Sequence, residues 1–210
     1  MAACPACGAE LETPLGCSSC GVLFSPQPPP TPFAVLGLEP AFRVDPAQLR
    51  KRQMALSRIV HPDYFGARDA ATRALAERNT AELNAAFETL ADPLARADWL
   101  VRSLGGPSES EQRDMPQAFL IEVLEWNEAL AGARESGPGS AGRAALDELE
   151  GALHAQWDDA LASLERLLTP LPARGSPALV EARRRINALR YLEKTLAEIE
   201  ALRLAQASSR

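Results

Sequence analysis

A proline at position 62 divides the first half of the chain, because a residue without an amide proton cannot continue a helix. Before it runs a helical pattern. Asp45 suits the N-cap, Pro46 the first helical position, and Gln48 completes a capping-box spacing. At roughly 100° per residue, Leu49, Gln53, Leu56 and Val60 share one stripe, and Arg50, Lys51 and Arg58 share the opposite one. One face is patterned for a core and the other presents cations to solvent. After the break, a second pattern runs from near Asp69 to Leu90, with Leu75, Asn79, Leu83, Ala86, Phe87 and Leu90 on its apolar side. The residues left between them, His61-Pro62-Asp63, form a short connection at a defined place between two helices.

The rest of the chain also reads as helix. Ala and Leu are abundant and β-branched residues sparse, which favours helix throughout. Pro32 to Leu38 predicts one or two turns. Leu94 to Leu104 predicts a shorter helix, capped by Asp92-Pro93 and stopped by Gly105-Gly106. Three further helices are expected over Pro116–Ala131, Arg143–Leu168 and Pro177–Gln206, separated by Gly- and Pro-rich stretches and packed antiparallel. In the first of these, Phe119, Val123, Trp126 and Leu130 form one apolar stripe, and Leu120, Ile121 and Leu124 form another. A helix apolar on two sides is either buried on both or carries an exposed binding patch. In the last helix, Ile186, Leu189, Leu192, Leu196 and Ile199 form the expected core stripe, and Tyr191 points away from it.

All four cysteines sit at the N-terminus in two CxxC pairs, Cys4/Cys7 and Cys17/Cys20, each followed by glycine. Glycine suits the tight knuckle that turns backbone amides toward a thiolate. Four thiolates so arranged predict a closed tetrahedral structural zinc site holding one ion. Two disulfides, an iron or cluster site and redox chemistry are the competing readings. A module of about 25 residues buries too little to fold alone, so the metal would supply much of its folding energy.

Composition limits the partners. The net charge of −6, and the absence of Lys and Arg from residues 1–24, give nucleic-acid binding little electrostatic support. No run of about 18 apolar residues suggests a membrane span, and no Arg-rich amphipathic transit segment is present, so a cytoplasmic location is expected. His61 and Asp63 could belong to a hydrolytic site. The one other histidine is His154, and neither Ser57 nor any cysteine is obviously linked to the pair, so no enzyme is expected.

The first helical region resembles a J-domain, the module through which co-chaperones engage DnaK-type ATPase chaperones. The resemblance rests on Phe33-Ala34-Val35-Leu36-Gly37-Leu38, on His61-Pro62-Asp63, on Asn84-Ala85-Ala86-Phe87-Glu88-Thr89-Leu90 with Asp92-Pro93, and on Arg96-Ala97-Asp98-Trp99-Leu100. It implies that His61, Pro62 and Asp63 stimulate ATP hydrolysis by a partner and that Arg50, Lys51 and Arg58 dock on it. Where the family usually carries Lys after the loop aspartate, this chain has Tyr64.

A J-domain followed by a three-helix bundle resembles the iron–sulfur-assembly co-chaperones of the HscB type. The matching stretches are Ala118-Phe119-Leu120-Ile121-Glu122, Leu124-Glu125-Trp126-Asn127-Glu128 and Leu189-Arg190-Tyr191-Leu192-Glu193-Lys194. The cysteine module is similar to one found in eukaryotic members and absent from shorter bacterial ones. The resemblance implies two partners, an HscA-like DnaK-type chaperone and an IscU-type scaffold protein. Leu120, Ile121, Leu124 and Tyr191 would grip the scaffold, with Glu125 and Glu128 around them. The expectation is an all-α chain: a tetracysteine zinc module (1–25), a Pro-rich linker (26–31), a J-domain helical hairpin (32–105), a linker (106–115) and a C-terminal three-helix bundle (116–206). A general J-domain co-chaperone for another client and a metal-dependent adaptor are the alternatives.

Overall fold

The computed structural model describes residues 2–115, 117–135 and 140–208. These form seven helices and one 3₁₀ turn: α1 (Pro32–Val35), α2 (Pro46–Val60), the turn Pro62–Phe65, α3 (Ala70–Ala91), α4 (Pro93–Ser103), α5 (Gln117–Glu135), α6 (Ser140–Leu168) and α7 (Ala178–Ser208). The described residues contain no extended strand, only isolated bridges within residues 3–23. None of the described helices is long and apolar enough to cross a membrane. The fold divides into two compact units, Met1–Trp99 and Leu100–Arg210.

In the first unit, α2 and α3 pair across the 3₁₀ turn. The Asp45 carboxylate caps α2 through the Ala47 amide (2.9 Å), and Asp69 caps α3 through the Thr72 amide (3.0 Å) and hydroxyl (2.8 Å). The amide of Thr72 holds the Asp69 carboxyl below its usual range. Leu49, Leu56 and Val60 of α2 are buried, as are Ala76, Asn79, Leu83, Ala86 and Leu90 of α3. Leu75, expected in that stripe, is half-buried because the seam runs through its neighbour Ala76. Phe33 packs on Trp99 with ring centroids 5.4 Å apart. Arg96 is buried, donating from Nη1 to the Leu90 carbonyl with its guanidinium 5.3 Å from the Phe42 ring.

The cysteine module belongs to this unit. Asn79, in mid-α3, donates its amide to the carbonyls of Leu15 (2.8 Å) and Phe24 (3.0 Å). Gly37, at the end of α1, has φ +62°, and a Cβ there would stand 2.7 Å from the Glu12 carbonyl oxygen. The Pro-rich stretch therefore returns the chain to helices that already hold the module.

In the second unit, α5, α6 and α7 form an antiparallel bundle around Leu130, Leu146, Leu153, Leu164, Ile186 and Leu189. Leu196, expected in the α7 core stripe, is half-buried, and Ile199 closes that end. The segment between α4 and α5 is held against α7. Arg183, fully buried, donates from Nε to the Pro107 carbonyl (3.0 Å), Asn187 donates to the Gln112 carbonyl (2.8 Å), and Arg190 pairs with Glu109.

Candidate functional site

Three constellations stand out, and the bend comes first. The His61 amide closes α2 on the Ser57 carbonyl (2.9 Å), and Pro62 opens the 3₁₀ turn. His61 Nδ1 accepts from the Asp63 amide (3.3 Å) and lies 3.5 Å from Asp63 Oδ2. The Thr80 hydroxyl of α3 donates to the Val60 carbonyl (3.1 Å), fixing the bend to the second helix. His61 and Pro62 are half-buried and Asp63 is exposed, so the bend faces solvent, with the His61 ring held by the Asp63 amide. Tyr64 stands 67% exposed, edge-on to His61 at 6.3 Å. Arg50, Lys51 and Arg58 are exposed on α2. Arg52 is not among these cations, because its guanidinium donates inward to the Leu36 carbonyl (3.1 Å).

On α5, one apolar stripe turns inward and the other does not. Trp126 and Leu130 are buried, while Leu120, Ile121 and Leu124 are 49%, 53% and 63% exposed. Glu125, Asn127 and Glu128 are exposed beside them. Tyr191 leaves α7 on the side of α5. It is half-buried, edge-on to Phe119 at 6.0 Å and tilted against Trp126 at 6.3 Å. Its ring thus packs against the inward stripe of α5. A large amphipathic ring in reach of two aromatic faces gains more by stacking on them than by standing in water.

The cysteine cluster is the third. The four sulfurs lie within 4.8 Å of one another, with Cys4–Cys20 and Cys7–Cys17 at 3.7 Å. Ligands at about 2.3 Å around a tetrahedral zinc stand about 3.8 Å apart, so the donor set fits such an ion. All four thiols are free. The two knuckles repeat one geometry: Gly8 and Gly21 have φ +76° and +71°, their amides donate to Cys4 and Cys17, and the Cys4 and Cys17 amides donate to Ala9 and Val22. The Cys20 amide pulls the Cys17 thiol down to about 6, against burial. Cys7 receives the Ala9 amide, but its contacts with the Cys20 and Cys4 thiols push it up to about 12. Four clustered sulfurs cannot all carry charge without a cation between them.

A "Co-chaperone protein HscB homolog" of Shewanella baltica (strain OS195) is 30% identical over 169 residues, covering 80% of this chain and 95% of that protein. The chain belongs to the HscB co-chaperone family. Its residues 115–200 match the family described as the HSCB C-terminal oligomerisation domain. The "Iron-sulfur cluster co-chaperone protein HscB" of Homo sapiens is 35% identical over 142 residues, 67% of this chain and 57% of the human protein. The match to its mouse counterpart spans 64% of that protein, so these two relatives extend well beyond the aligned region. The crystal structure of human HscB superposes with a TM-score of 0.77 at 27% identity, covering 97% of this chain and all of that one. HscB from Vibrio cholerae superposes at 0.69 with 26% identity, covering 82% of this chain and 97% of that one.

The pattern of residues in this HscB-family chain gave no contact to Asn79, Arg68 or Tyr64. Asn79 joins the cysteine module to α3, and its signal was a carboxamide inside an apolar stripe. Arg68 and Tyr64 share a cleft with the second knuckle, which no local pattern announces because it joins segments more than forty residues apart.

Proposed function

We propose that this chain is a co-chaperone that grips an IscU-type iron–sulfur scaffold protein through α5 and presents it to an HscA-like DnaK-type ATPase, whose ATP hydrolysis the His61-Pro62-Asp63 bend stimulates. Residues 32–105 act as the J-domain and 116–206 as the cargo-binding bundle. The chain supplies no reacting group of its own; hydrolysis occurs on the partner. Arg50, Lys51 and Arg58 steer onto an acidic surface, while a rigid bend positions His61 and Asp63 against it. Leu120, Ile121 and Leu124, with the half-buried Tyr191, form the gripping surface, rimmed by Glu125 and Glu128. Cys4, Cys7, Cys17 and Cys20 hold one structural zinc ion, which stabilises the N-terminal module.

The observation that carries this reading is the exposed leucine–isoleucine trio on a bundle helix that buries Trp126 and Leu130 on its other stripe. Apolar side chains gathered in water on one helix face mark a binding surface.

The test is steady-state ATP hydrolysis by a purified HscA-type chaperone, with and without an IscU-type scaffold. The wild-type chain should raise the rate, and scaffold should raise it further. His61→Gln should abolish stimulation with scaffold binding intact. Leu120→Ala/Leu124→Ala should retain basal stimulation but lose scaffold affinity by about tenfold or more, the loss expected for two central apolar anchors. A double variant that binds scaffold like the wild type refutes the assignment of the patch.

A further inference from the structure

The second cysteine knuckle forms one wall of a cleft whose other wall is the C-terminal half of α2 and the turn after it. Cys17, Ser18 and Gly21 line it from the module, Arg58 and Ile59 from α2, and Tyr64 and Arg68 from beyond the bend. The cleft has a volume of about 580 Å³, within the size range of built binding sites. The module is held close here: a Cβ on Gly16 would stand 3.1 Å from Ile59 Cγ2.

The charges lining the cleft are unequal. Two cations, Arg58 and Arg68, line it with one carboxylate, Glu12, which already accepts a hydrogen bond from the Ser18 hydroxyl at 2.9 Å. Ala55, Ile59, the buried Phe65 and the exposed Tyr64 ring line it too. Such a surface suits an acidic segment carrying an apolar side chain. Arg58 stands one turn before His61, and Tyr64 lies edge-on to the His61 ring, so the cleft is continuous with the proposed ATPase-docking face.

We infer that the cysteine module is part of the chaperone-docking surface: its second knuckle, with Arg58 and Arg68, receives an acidic segment of the ATPase chaperone. The inference rests on the co-chaperone reading above and extends it to a region of the chain that the reading leaves as a stabilising terminus. The knuckle does so through its shape; Ser18 lines the cleft, is exposed and is none of the four clustered cysteines.

Ser18 gives a test by charge of either sign. In the full-length, metal-loaded protein at low salt, Ser18→Asp should raise the concentration giving half-maximal stimulation of an HscA-type chaperone by about threefold, and Ser18→Lys should lower it by a similar factor, the effect of one exposed charge pair. Arg68→Glu should act in the direction of Ser18→Asp. Equal metal content and unchanged thermal unfolding of the variants establish that the module is intact. If wild-type protein stimulates but half-saturation is indifferent to the charge at Ser18, or moves the same way for both signs, the inference is overturned and the co-chaperone reading stands. Variants that shift self-association alone overturn it as well and assign the cleft to a second copy. A wild-type chain that fails to stimulate overturns both.

Discussion

Replacing Asn79 with alanine tests whether the cysteine module and the α2–α3 hairpin are one cooperative unit. The asparagine is buried in mid-α3 and donates to two carbonyls of the module, Leu15 at 2.8 Å and Phe24 at 3.0 Å. Each such bond contributes about 1 kcal/mol net, giving about 2 kcal/mol for the pair. The Leu15 carbonyl keeps a second donor, the Phe24 amide at 2.9 Å, so it is not stranded. The Phe24 carbonyl loses the asparagine donor, which adds a desolvation cost of up to about 1 kcal/mol if water cannot reach it. Alanine recovers roughly 0.5 kcal/mol because it is the better helix former. The net loss is about 2 kcal/mol, equivalent to a roughly 30-fold rise in amide exchange wherever exchange requires opening of this unit. The assay is native-state hydrogen exchange on the full chain, which reports the two units separately. Amides of residues 4–24 and of α2 and α3 should speed up together, while those of α6 and α7 stay as they were. A change below about 0.5 kcal/mol in the first unit, or one confined to α3, refutes the reasoning and leaves the module merely tethered.

Two further outcomes follow from the same geometry. Purified protein should carry about one zinc per chain, and chelation should remove protection from residues 4–24 and loosen α3 at Asn79, with α5–α7 unaffected; retained protection in metal-free protein refutes a metal-dependent module. Acid should fray the start of α3. The Asp69 carboxyl is held low by the Thr72 amide, so its cap is at full strength above the ordinary aspartate value of about 4 and is lost as pH falls through the depressed one. Protection at Thr72 and Arg73, measured against the intrinsic exchange rate at each pH, should therefore fall below about pH 4, and Asp69→Asn should remove that pH dependence while keeping a cap.

Local chemistry made much of this molecule legible from the chain alone. The helices follow from apolar spacing, caps and prolines, each acting within a few residues: Asp45-Pro46 starts α2, Pro62 ends it, and Asp69 opens α3. The cysteine cluster was equally readable, since each CxxC-Gly knuckle closes by its own backbone hydrogen bonds. The two apolar stripes of α5 were visible, but periodicity cannot say which one meets a neighbour. Only the packing of Trp126 and Leu130 against the bundle leaves Leu120, Ile121 and Leu124 in water. Tyr191 shows the same limit, because its position on α7 said which way it leaves the helix and nothing about the Phe119 and Trp126 rings waiting there. The seating of the cysteine module on α3 and the cleft beside Arg58 and Arg68 were likewise beyond reach. They depend on side chains from distant segments meeting across a surface, and no short-range rule of spacing or propensity encodes that meeting.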